Sequence, residues 1–278
     1  MLVEYKEILA LAEKGDFAIP AFNVYNMETV MAVFNAAEKC KSPVIMQVYP
    51  RLMKEECGYF LSPIILAAAK KASVPVCFHL DHGPTDLEVT RSIAYGATGI
   101  MLDGSAHSFE DNVALTKKIV DTCTYIGIGV EGELGHVGTV NDISMDEFTN
   151  VEEAKDFVEK TGVAALAVLV GNAHGRYKKP PKLDLQRVKD ISDATKVPLV
   201  LHGGSGIPDS EIKEAIHNGI RKINFATDVC YAFLDSVEDM FNLTERVIAV
   251  DNFMKKPIEA TTEFCIEKIR LCGAEGKA

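Results

Sequence analysis

The sequence predicts an α/β protein folded as a (β/α)8 TIM barrel, and three observations support this fold class. Short apolar segments recur through the 278 residues at intervals of about 25–40 residues. Amphipathic helical segments follow most of them, and this alternation is typical of a parallel sheet. Eight such segments are present, which is the number of strands that closes a barrel filled by its own side chains.

The expected strands share a β-rich apolar composition. They are 17–24, 43–48, 75–83, 99–105, 127–135, 165–175, 198–206 and 222–228. Apolar residues at i, i+3 and i+4 spacing predict helices between them, clearest at 27–40, 109–123, 151–162 and 209–219. An open doubly wound sheet is the structural alternative, but it requires a nucleotide-type glycine loop after the first strand, which is missing.

The chain reads as one domain over residues 1–278, because no linker, low-complexity tract or change of composition interrupts the alternation. The segment that begins near Asp251 has a helical pattern. We expect it to form a C-terminal extension that packs outside the barrel.

Composition and charge narrow the classes of function. The net charge of −11 argues against nucleic acid as a partner, although a local pocket could still bind an anionic small molecule. No segment approaches the roughly 18 apolar residues of a membrane span, and residues 1–15 lack the pattern of a signal peptide. The seven cysteines form no CxxC pair and lie mostly in apolar runs, as buried free thiols do. A cytoplasmic location is therefore expected.

Polar residues concentrate where the predicted strands end, which is the face of a parallel barrel that carries the chemistry. These strand-end residues are Asn23, Asp81, His82, Asp103, Ser105, Glu131, Glu133, Asn172, His174, His202, Asn224 and Asp228. Strand starts, in contrast, are Pro, Gly, Ala and Lys. The asymmetry indicates a functional site at one mouth of the barrel.

Three histidines, His82, His174 and His202, occupy equivalent positions on strands 3, 6 and 7. Because these positions converge, three imidazoles could hold a zinc-type ion and leave one coordination position for a substrate. The acidic residues Asp103 and Glu133, together with Glu131, are interpreted as partners that orient the histidines or as ligands in another state of the site. His79 reads as a core or supporting residue, and His107, His136 and His217 have no equivalent placement.

Two further features indicate substrate chemistry. The turn HGGSGIP (202–208) exposes backbone N–H groups and opens a helix, which favours phosphate, and it follows strand 7, where barrels commonly bind this anion. Lys178 could add a positive charge there. Asp81 is the candidate proton donor and acceptor, provided that it shares the mouth with its neighbour His82.

Taken together, the motifs resemble the class II ketose-bisphosphate aldolases, the zinc-dependent fructose- and tagatose-bisphosphate enzymes. The motifs are HLDHG (79–83), MLDGS (101–105), VEGELG (130–135), GNAHGRYK (171–178), LHGGSGIP (201–208) and KINFATD (222–228). The resemblance covers nearly the whole chain. Ala226 is similar to the tagatose-type subgroup.

The resemblance implies that Zn2+ binds His82, His174 and His202, and that Asp81 moves the proton of the substrate's C4 hydroxyl. It implies sugar phosphates as substrates, a monovalent cation (Na+ or K+) near the phosphate, and a homodimer or homotetramer. Dihydroxyacetone phosphate would be held by Asn23, Gly175, Gly203, Gly204, Ser205, Asn224, Phe225, Ala226 and Thr227.

The sequence departs from the family in two places. In the loop 133–144, Asn141 stands where a proton-transferring Glu is usual, and an amide cannot accept a proton as a carboxylate does. Asp142 is the candidate replacement, unless the alignment is shifted by one residue. Arg51 and Arg176 replace small or apolar residues and could bind a second anionic group, or could be surface residues. We therefore expect an altered aldehyde half of the substrate.

Alternative functions have distinct signatures. A Schiff-base aldolase needs a lysine at the end of a strand, and Lys222 lies at the wrong end of strand 8. A metal-dependent hydrolase often has an HxH pair on strand 1, which here carries Asn23. A non-catalytic sugar-phosphate-binding homologue would bind dihydroxyacetone phosphate without exchanging its C3 proton.

Overall fold

The computed structural model describes residues 1–137, 148–175, 177, 181–243 and 247–278. Eight parallel strands close into a barrel in the order in which they occur along the chain. Pairing of the first strand with the last closes the barrel, with Ile19 opposite Lys222 and Phe22 opposite Phe225. The predicted (β/α)8 barrel is confirmed.

Six of the eight strands end earlier than predicted, whereas the second and third end where the sequence placed them. The strands are β1 (Ile19–Asn23), β2 (Val44–Val48), β3 (Val76–Gly83), β4 (Gly99–Leu102), β5 (Gly129–Leu134), β6 (Ala165–Val168), β7 (Leu199–Leu201) and β8 (Ile220–Phe225). Half of the twelve polar strand-end residues therefore lie beyond the strands, namely Asp103, Ser105, Asn172, His174 and His202 on loops and Asp228 in the helix after β8. β8 also begins two residues earlier than predicted, so that Lys222 is its third residue.

The predicted helices form, with small differences at their ends. The helices are α1 (Tyr5–Glu13), α2 (Met27–Cys40), α3 (Pro50–Lys54), α4 (Glu56–Lys71), α5 (Asp86–Ala94), α6 (Phe109–Thr124), α7 (Val151–Thr161), α8 (Leu185–Thr195), α9 (Asp209–His217), α10 (Thr227–Phe241) and α11 (Val250–Leu271). α11 packs outside the barrel against α2 and α10. α1 contacts β1, β3, β5 and β8 at the opposite end from the strand-end residues.

One irregularity of the sheet determines how the site is built. Between β3 and β4, Leu80 pairs with Ile100 and Gly83 with Leu102, so that β3 contains one extra residue. His82 has a φ of 46°, in the left-handed region. A bulge of this kind interrupts the alternation of side chains. Asp81 and His82 can therefore face the same mouth, and the reason is a bulge within β3 rather than the end of the strand that sequence reasoning invoked.

The cysteines are all free thiols, and five of the seven are buried, as predicted. Cys57 is exposed and Cys230 is half-buried. Within the described ranges, none of the helices has the length and apolar character needed to cross a membrane.

Candidate active site

A cavity of about 620 Å³ opens at the carboxyl ends of the strands. Most of the predicted site residues line it, namely Asn23, Arg51, Asp81, His82, Asp103, His174, Gly175, Gly203, Ser205, Asn224, Ala226 and Thr227. Sequence reasoning did not single out Tyr25, Lys54, Pro84 or Val137, which also line the cavity. His136, for which the sequence indicated no position equivalent to the three histidines, also lines the cavity, and its Nδ1 lies 3.0 Å from Ser105 Oγ.

The three predicted histidines come together at the base of this cavity. The ring centroid of His82 is 4.9 Å from that of His174 and 4.5 Å from that of His202. Nε2 of His82 lies 2.9 Å from Nδ1 of His202, which is fully buried. The equivalent strand-end positions therefore converge as expected.

Each of the three rings is held by an acceptor on its other nitrogen. His82 Nδ1 lies 2.8 Å from Asp103 Oδ2, and His202 Nε2 lies 2.8 Å from Glu131 Oε1. His174 Nδ1 lies 2.9 Å from the carbonyl oxygen of Val137. When each of these nitrogens donates its proton outward, the remaining nitrogen of each ring presents a lone pair to the centre of the cluster.

This arrangement fits a metal ion. His82 Nε2 and His202 Nδ1 lie 2.9 Å apart, and their lone pairs repel each other unless a cation or a proton lies between the two nitrogens. Glu133 Oε2 is buried, has no hydrogen-bond partner in the part of the chain that the structure describes, and lies 3.5 Å from His202 Nδ1. Three imidazole nitrogens with carboxylates close by form a donor set that suits a catalytic zinc-type ion.

A second set of donors overlaps the first. The side chains of His82, Asp103 and Glu133 also bring one ligand atom each to a common point. Asp103 is fixed there by Ser105, whose hydroxyl donates to Asp103 Oδ1 over 2.6 Å. Asp103 and Glu133 can therefore either orient His82 or complete an alternative position for the ion, as the sequence indicated.

The acidic groups give the cluster its electrostatic character. Burial alone would lower the pKa of His82, but the charges of Asp81, Glu133 and Asp103, with the hydrogen bond to Asp103, raise that pKa to about 10. Burial and the charge of Asp103 raise the pKa of Glu133 to about 8. Positive charge at the centre of the cluster is therefore favoured.

Asp81 stands beside the histidines and accepts two hydrogen bonds. Asn23 Nδ2 donates to its Oδ2 over 2.8 Å, and Asn224 Nδ2 donates to its Oδ1 over 3.2 Å. Gln47 in turn donates to Asn23 Oδ1 over 2.8 Å, which fixes the orientation of that amide. Burial opposes ionisation, but the neighbouring charges of His82 and His202 hold the pKa of Asp81 below its usual value. The group is thus an oriented carboxylate that can accept a proton.

The glycine-rich turn after β7 meets the start of α10. Ser205 Oγ accepts a hydrogen bond from the backbone N–H of Asp228 over 3.3 Å, next to Thr227, the first residue of α10. The turn leads directly into α9, which begins at Asp209 as the sequence indicated, and it also adjoins the start of α10. An exposed helix start with glycine-rich backbone can bind phosphate.

Two predicted substrate-binding residues do not line the cavity. The N–H of Gly204 is already donated to the carbonyl oxygen of Asn224 over 3.1 Å. Phe225 is fully buried and its ring stacks on Phe22, because side chains alternate along β8 and Asn224 takes the inward position.

Tyr177 supports the segment that carries His174. Its hydroxyl accepts from the backbone N–H of Ala173 over 2.6 Å and donates to the carbonyl oxygen of the same residue over 3.0 Å. Its position in GNAHGRYK was the available sequence signal. The predicted residues Asp142, Arg176 and Lys178, and the neighbouring Asn141, lie outside the described residues.

Comparison with known families shows to which family the chain belongs. The sequence model of the class II fructose-bisphosphate aldolase family matches residues 3–277. The chain belongs to this family. Escherichia coli (strain K12) YdjI is 41% identical over 273 residues, which span 96% of each chain. The class II aldolase family is thus confirmed, and with it the assignment of the chain as a lyase.

Solved structures agree with the family assignment. The crystal structure of the E. coli K12 YdjI aldolase is 38% identical, covers all of both chains and has a TM-score of 0.91. A putative fructose-1,6-bisphosphate aldolase from Coccidioides immitis is 28% identical over 99% of this chain and 97% of its own, with a TM-score of 0.87. The fructose-bisphosphate aldolase of Campylobacter jejuni shares the fold at a TM-score of 0.86, with 23% identity over 100% of this chain and 97% of its own.

Proposed function

We propose that this class II aldolase reversibly cleaves a ketose phosphate into dihydroxyacetone phosphate and an aldehyde, and that it depends on Zn2+. The observation that carries the proposal is the convergence of His82, His174 and His202 beside the oriented carboxylate of Asp81. The three imidazoles would hold the ion. When bound, the ion supplies Lewis-acid stabilisation of the negative charge that carbon–carbon cleavage leaves beside the ketone.

Asp81 would take the proton of the C4 hydroxyl during cleavage and return it during condensation. Both of its oxygens already accept hydrogen bonds from Asn23 and Asn224, so the carboxylate is held in one orientation at the edge of the histidine cluster. The distance from Asp81 Oδ1 to His82 Nε2 is 3.9 Å. A substrate oxygen close to the ion would thus lie within reach of the base.

The phosphate of dihydroxyacetone phosphate would bind at the turn after β7 and the start of α10. Gly175, Gly203, Ser205, Ala226 and Thr227 line this side of the cavity. Backbone N–H groups and the positive end of α10 attract an anion, and a Na+ or K+ ion close to the phosphate is part of this proposal. Binding energy from the phosphate would fix the reacting carbon against the histidine cluster.

The aldehyde half would extend toward α3. Arg51 is exposed, its guanidinium carbon lies 5.9 Å from the ring centroid of Tyr49, and it has no ion-pair partner among the described residues. A guanidinium at this edge would bind a second anionic group of the substrate, with help from Arg176. Ala226 supports a relationship of this chain to the tagatose-type subgroup. Asp142 would transfer the proton at C3 of dihydroxyacetone phosphate.

The first experiment measures release of dihydroxyacetone phosphate from fructose- and tagatose-1,6-bisphosphate, with and without a chelator. Slow turnover of both sugars, with chelator-sensitive exchange of the C3 proton of dihydroxyacetone phosphate, supports the proposal. Strong turnover of either sugar contradicts the altered aldehyde half. Unchanged zinc content and activity in His202→Ala would refute the metal site.

We also propose that residues 1–278 form one domain, that the enzyme is cytoplasmic, and that it assembles as a homodimer or homotetramer. The family membership and the continuous barrel pattern support these proposals. Sedimentation analysis of the purified enzyme measures the assembly directly.

A further inference from the structure

A second polar cluster lies in the barrel interior, between the histidine cluster and α1. It consists of Tyr5, His79, Glu131 and Lys222, all of which are fully buried. None of these residues lines the cavity. Fully buried charges are rare in protein interiors and are expensive unless they are paired, so this group requires an explanation.

Glu131 connects this cluster to a histidine of the proposed metal centre. Its Oε1 lies 2.8 Å from His202 Nε2. Its Oε2 lies 2.8 Å from Lys222 Nζ and also accepts a hydrogen bond from the hydroxyl of Tyr5. One carboxylate oxygen thus serves His202, and the other is held from the opposite side by Lys222 and Tyr5.

The surrounding backbone is shaped to admit these side chains. A Cβ on Gly99 would lie 2.6 Å from the His79 ring and 2.9 Å from the Cβ of Tyr5, so only glycine leaves the space that they occupy. The ring centroids of Tyr5 and His79 are 4.7 Å apart. Tyr5, the first residue of α1, therefore enters the barrel through the space that the missing side chain of Gly99 leaves.

His79 contributes packing rather than charge. Neither of its ring nitrogens has a hydrogen-bond partner among the described residues. Burial, with the charge of Lys222, lowers its pKa to about 3, so that the ring is neutral. The positive charge nearest to Oε2 of Glu131 is that of Lys222, whose Nζ lies 2.8 Å from this oxygen, whereas His79 Nε2 lies 3.7 Å from it.

We propose that Lys222 and Tyr5 are positioning residues of the metal centre, which act on His202 through Glu131. Lys222 compensates the buried charge of Glu131, and Tyr5 fixes the same oxygen. The other oxygen then stays on His202 Nε2, and Nδ1 of the ring stays turned toward His82, where it would serve as a metal ligand. The inference rests on the proposed function, because it takes His202 as a metal ligand.

A purely structural ion pair is the competing explanation, since buried pairs often add little to stability. The two explanations differ in what they predict for metal affinity. If Lys222 only fills the interior, its replacement changes the stability of the protein but not the affinity of correctly folded molecules for zinc. If it positions His202, zinc affinity falls even after differences in stability are taken into account.

The test compares zinc dissociation constants, measured by chelator competition, in folded preparations of the full chain. The variants are Lys222→Met, Tyr5→Phe and the double variant Lys222→Met/Glu131→Gln. Ile269→Val is the control, because Ile269 is fully buried in α11, away from the cluster. Thermal unfolding of each metal-free variant identifies losses of stability.

We expect Lys222→Met to weaken zinc binding by about 10- to 100-fold, as loss of an outer partner of a metal ligand does. Tyr5→Phe should weaken it by a smaller factor. The double variant should regain most of the affinity, because its Glu131→Gln change removes the uncompensated charge and leaves an amide oxygen that can still accept from His202. Should Lys222→Met fail to fold, Tyr5→Phe and the double variant still decide the matter.

Zinc affinity of Lys222→Met and Tyr5→Phe equal to that of Ile269→Val would overturn the inference, as would a double variant as weak as the single one. His202→Ala separates this failure from failure of the proposed function. If His202→Ala weakens zinc binding and Lys222→Met does not, the proposed metal site is supported and the positioning role of Lys222 is refuted. If His202→Ala binds zinc normally, the proposed metal site itself is wrong.

Discussion

Nδ1 of His82 lies 2.8 Å from Oδ2 of Asp103, so the carboxylate decides which ring nitrogen faces the cavity. The other oxygen of Asp103 accepts from the hydroxyl and the backbone N–H of Ser105. The proposed metal ligand His82 thus belongs to β3, whereas Asp103, which orients its ring, belongs to the loop after β4. Such outer partners commonly control metal affinity.

Replacement of Asp103 by alanine should weaken zinc binding by about 10- to 100-fold, because His82 loses the acceptor that orients it. Chelator competition gives the dissociation constant. Ser105→Ala is the graded comparison, since it removes one of the two donors to Asp103 Oδ1 but keeps the backbone N–H and the His82–Asp103 contact, and it should weaken binding by a smaller factor. Wild-type affinity in Asp103→Ala would show that Asp103 does not orient His82.

Replacement of Asp81 by asparagine should lower kcat for retro-aldol cleavage by about 10²- to 10⁴-fold, because an amide cannot accept the C4 hydroxyl proton. Zinc content should not change, since none of the three proposed ligands depends on Asp81 for its orientation. Coupled detection of dihydroxyacetone phosphate measures kcat, and metal analysis measures zinc. Near-normal cleavage would assign the proton transfer to another group.

Replacement of Arg51 by alanine should raise KM for an aldehyde with a terminal anionic group by about 10- to 100-fold, which corresponds to loss of a charge-assisted hydrogen bond. Condensation of dihydroxyacetone phosphate with glyceraldehyde 3-phosphate, and separately with glyceraldehyde, measures the effect. Lys54→Ala is the control, because Lys54 Nζ lies 3.7 Å from Glu88 and is already engaged. An equal change with both aldehydes would contradict recognition of a second anion.

Replacement of Gly203 by alanine should destabilise the protein and abolish phosphate binding. Gly203 has a φ of 62°, and a Cβ there would lie 2.0 Å from the carbonyl oxygen of Ala173. Gly127→Ala is the matched control, because its φ of 79° is similarly positive but nothing lies within 4 Å of a Cβ. Backbone strain alone costs about 1–3 kcal/mol, so denaturant unfolding should show a larger loss for Gly203→Ala than for Gly127→Ala. Equal losses would leave no role for the close approach to Ala173.

The alkaline stability of the enzyme should depend on Tyr177. Burial raises the pKa of its hydroxyl to about 12, whereas an exposed tyrosine titrates near pH 10. In that interval the folded state binds more protons than the unfolded state, so stability falls as the pH rises. The free energy of unfolding of the wild type should thus fall more steeply than that of Tyr177→Phe above about pH 10. Parallel curves would show that Tyr177 titrates normally.

The sequence was sufficient for the barrel because alternation and helical spacing are local signals. It also located His82, His174 and His202, since equivalent strand ends must converge. It failed where a role depends on a contact across the barrel. In the sequence, Lys222 is only a lysine near the start of β8, and its role becomes clear from the 2.8 Å distance between its Nζ and Glu131 Oε2. The spacing of apolar residues in α1 likewise does not indicate that Tyr5 enters the barrel and donates to Glu131.

Side-chain direction was the other source of error. Phe225 and Gly204 belong to motifs that line the mouth, but the alternation along β8 and a backbone hydrogen bond remove them from the cavity. Predictions based on motif membership cannot separate such neighbours. The structure of the strand and its loop is needed for that.

The extra residue in β3 has a consequence for how this site can be lost. Deletion of Leu80 or Gly83 would restore the regular register with β4 and send either Asp81 or His82 to the outer face of the sheet. Metal binding and proton transfer would then be uncoupled by a three-nucleotide deletion that alters the chemistry of no other catalytic side chain. The proximity of the metal ligand His82 and the proposed base Asp81 thus depends on the length of β3 as well as on the identity of its residues.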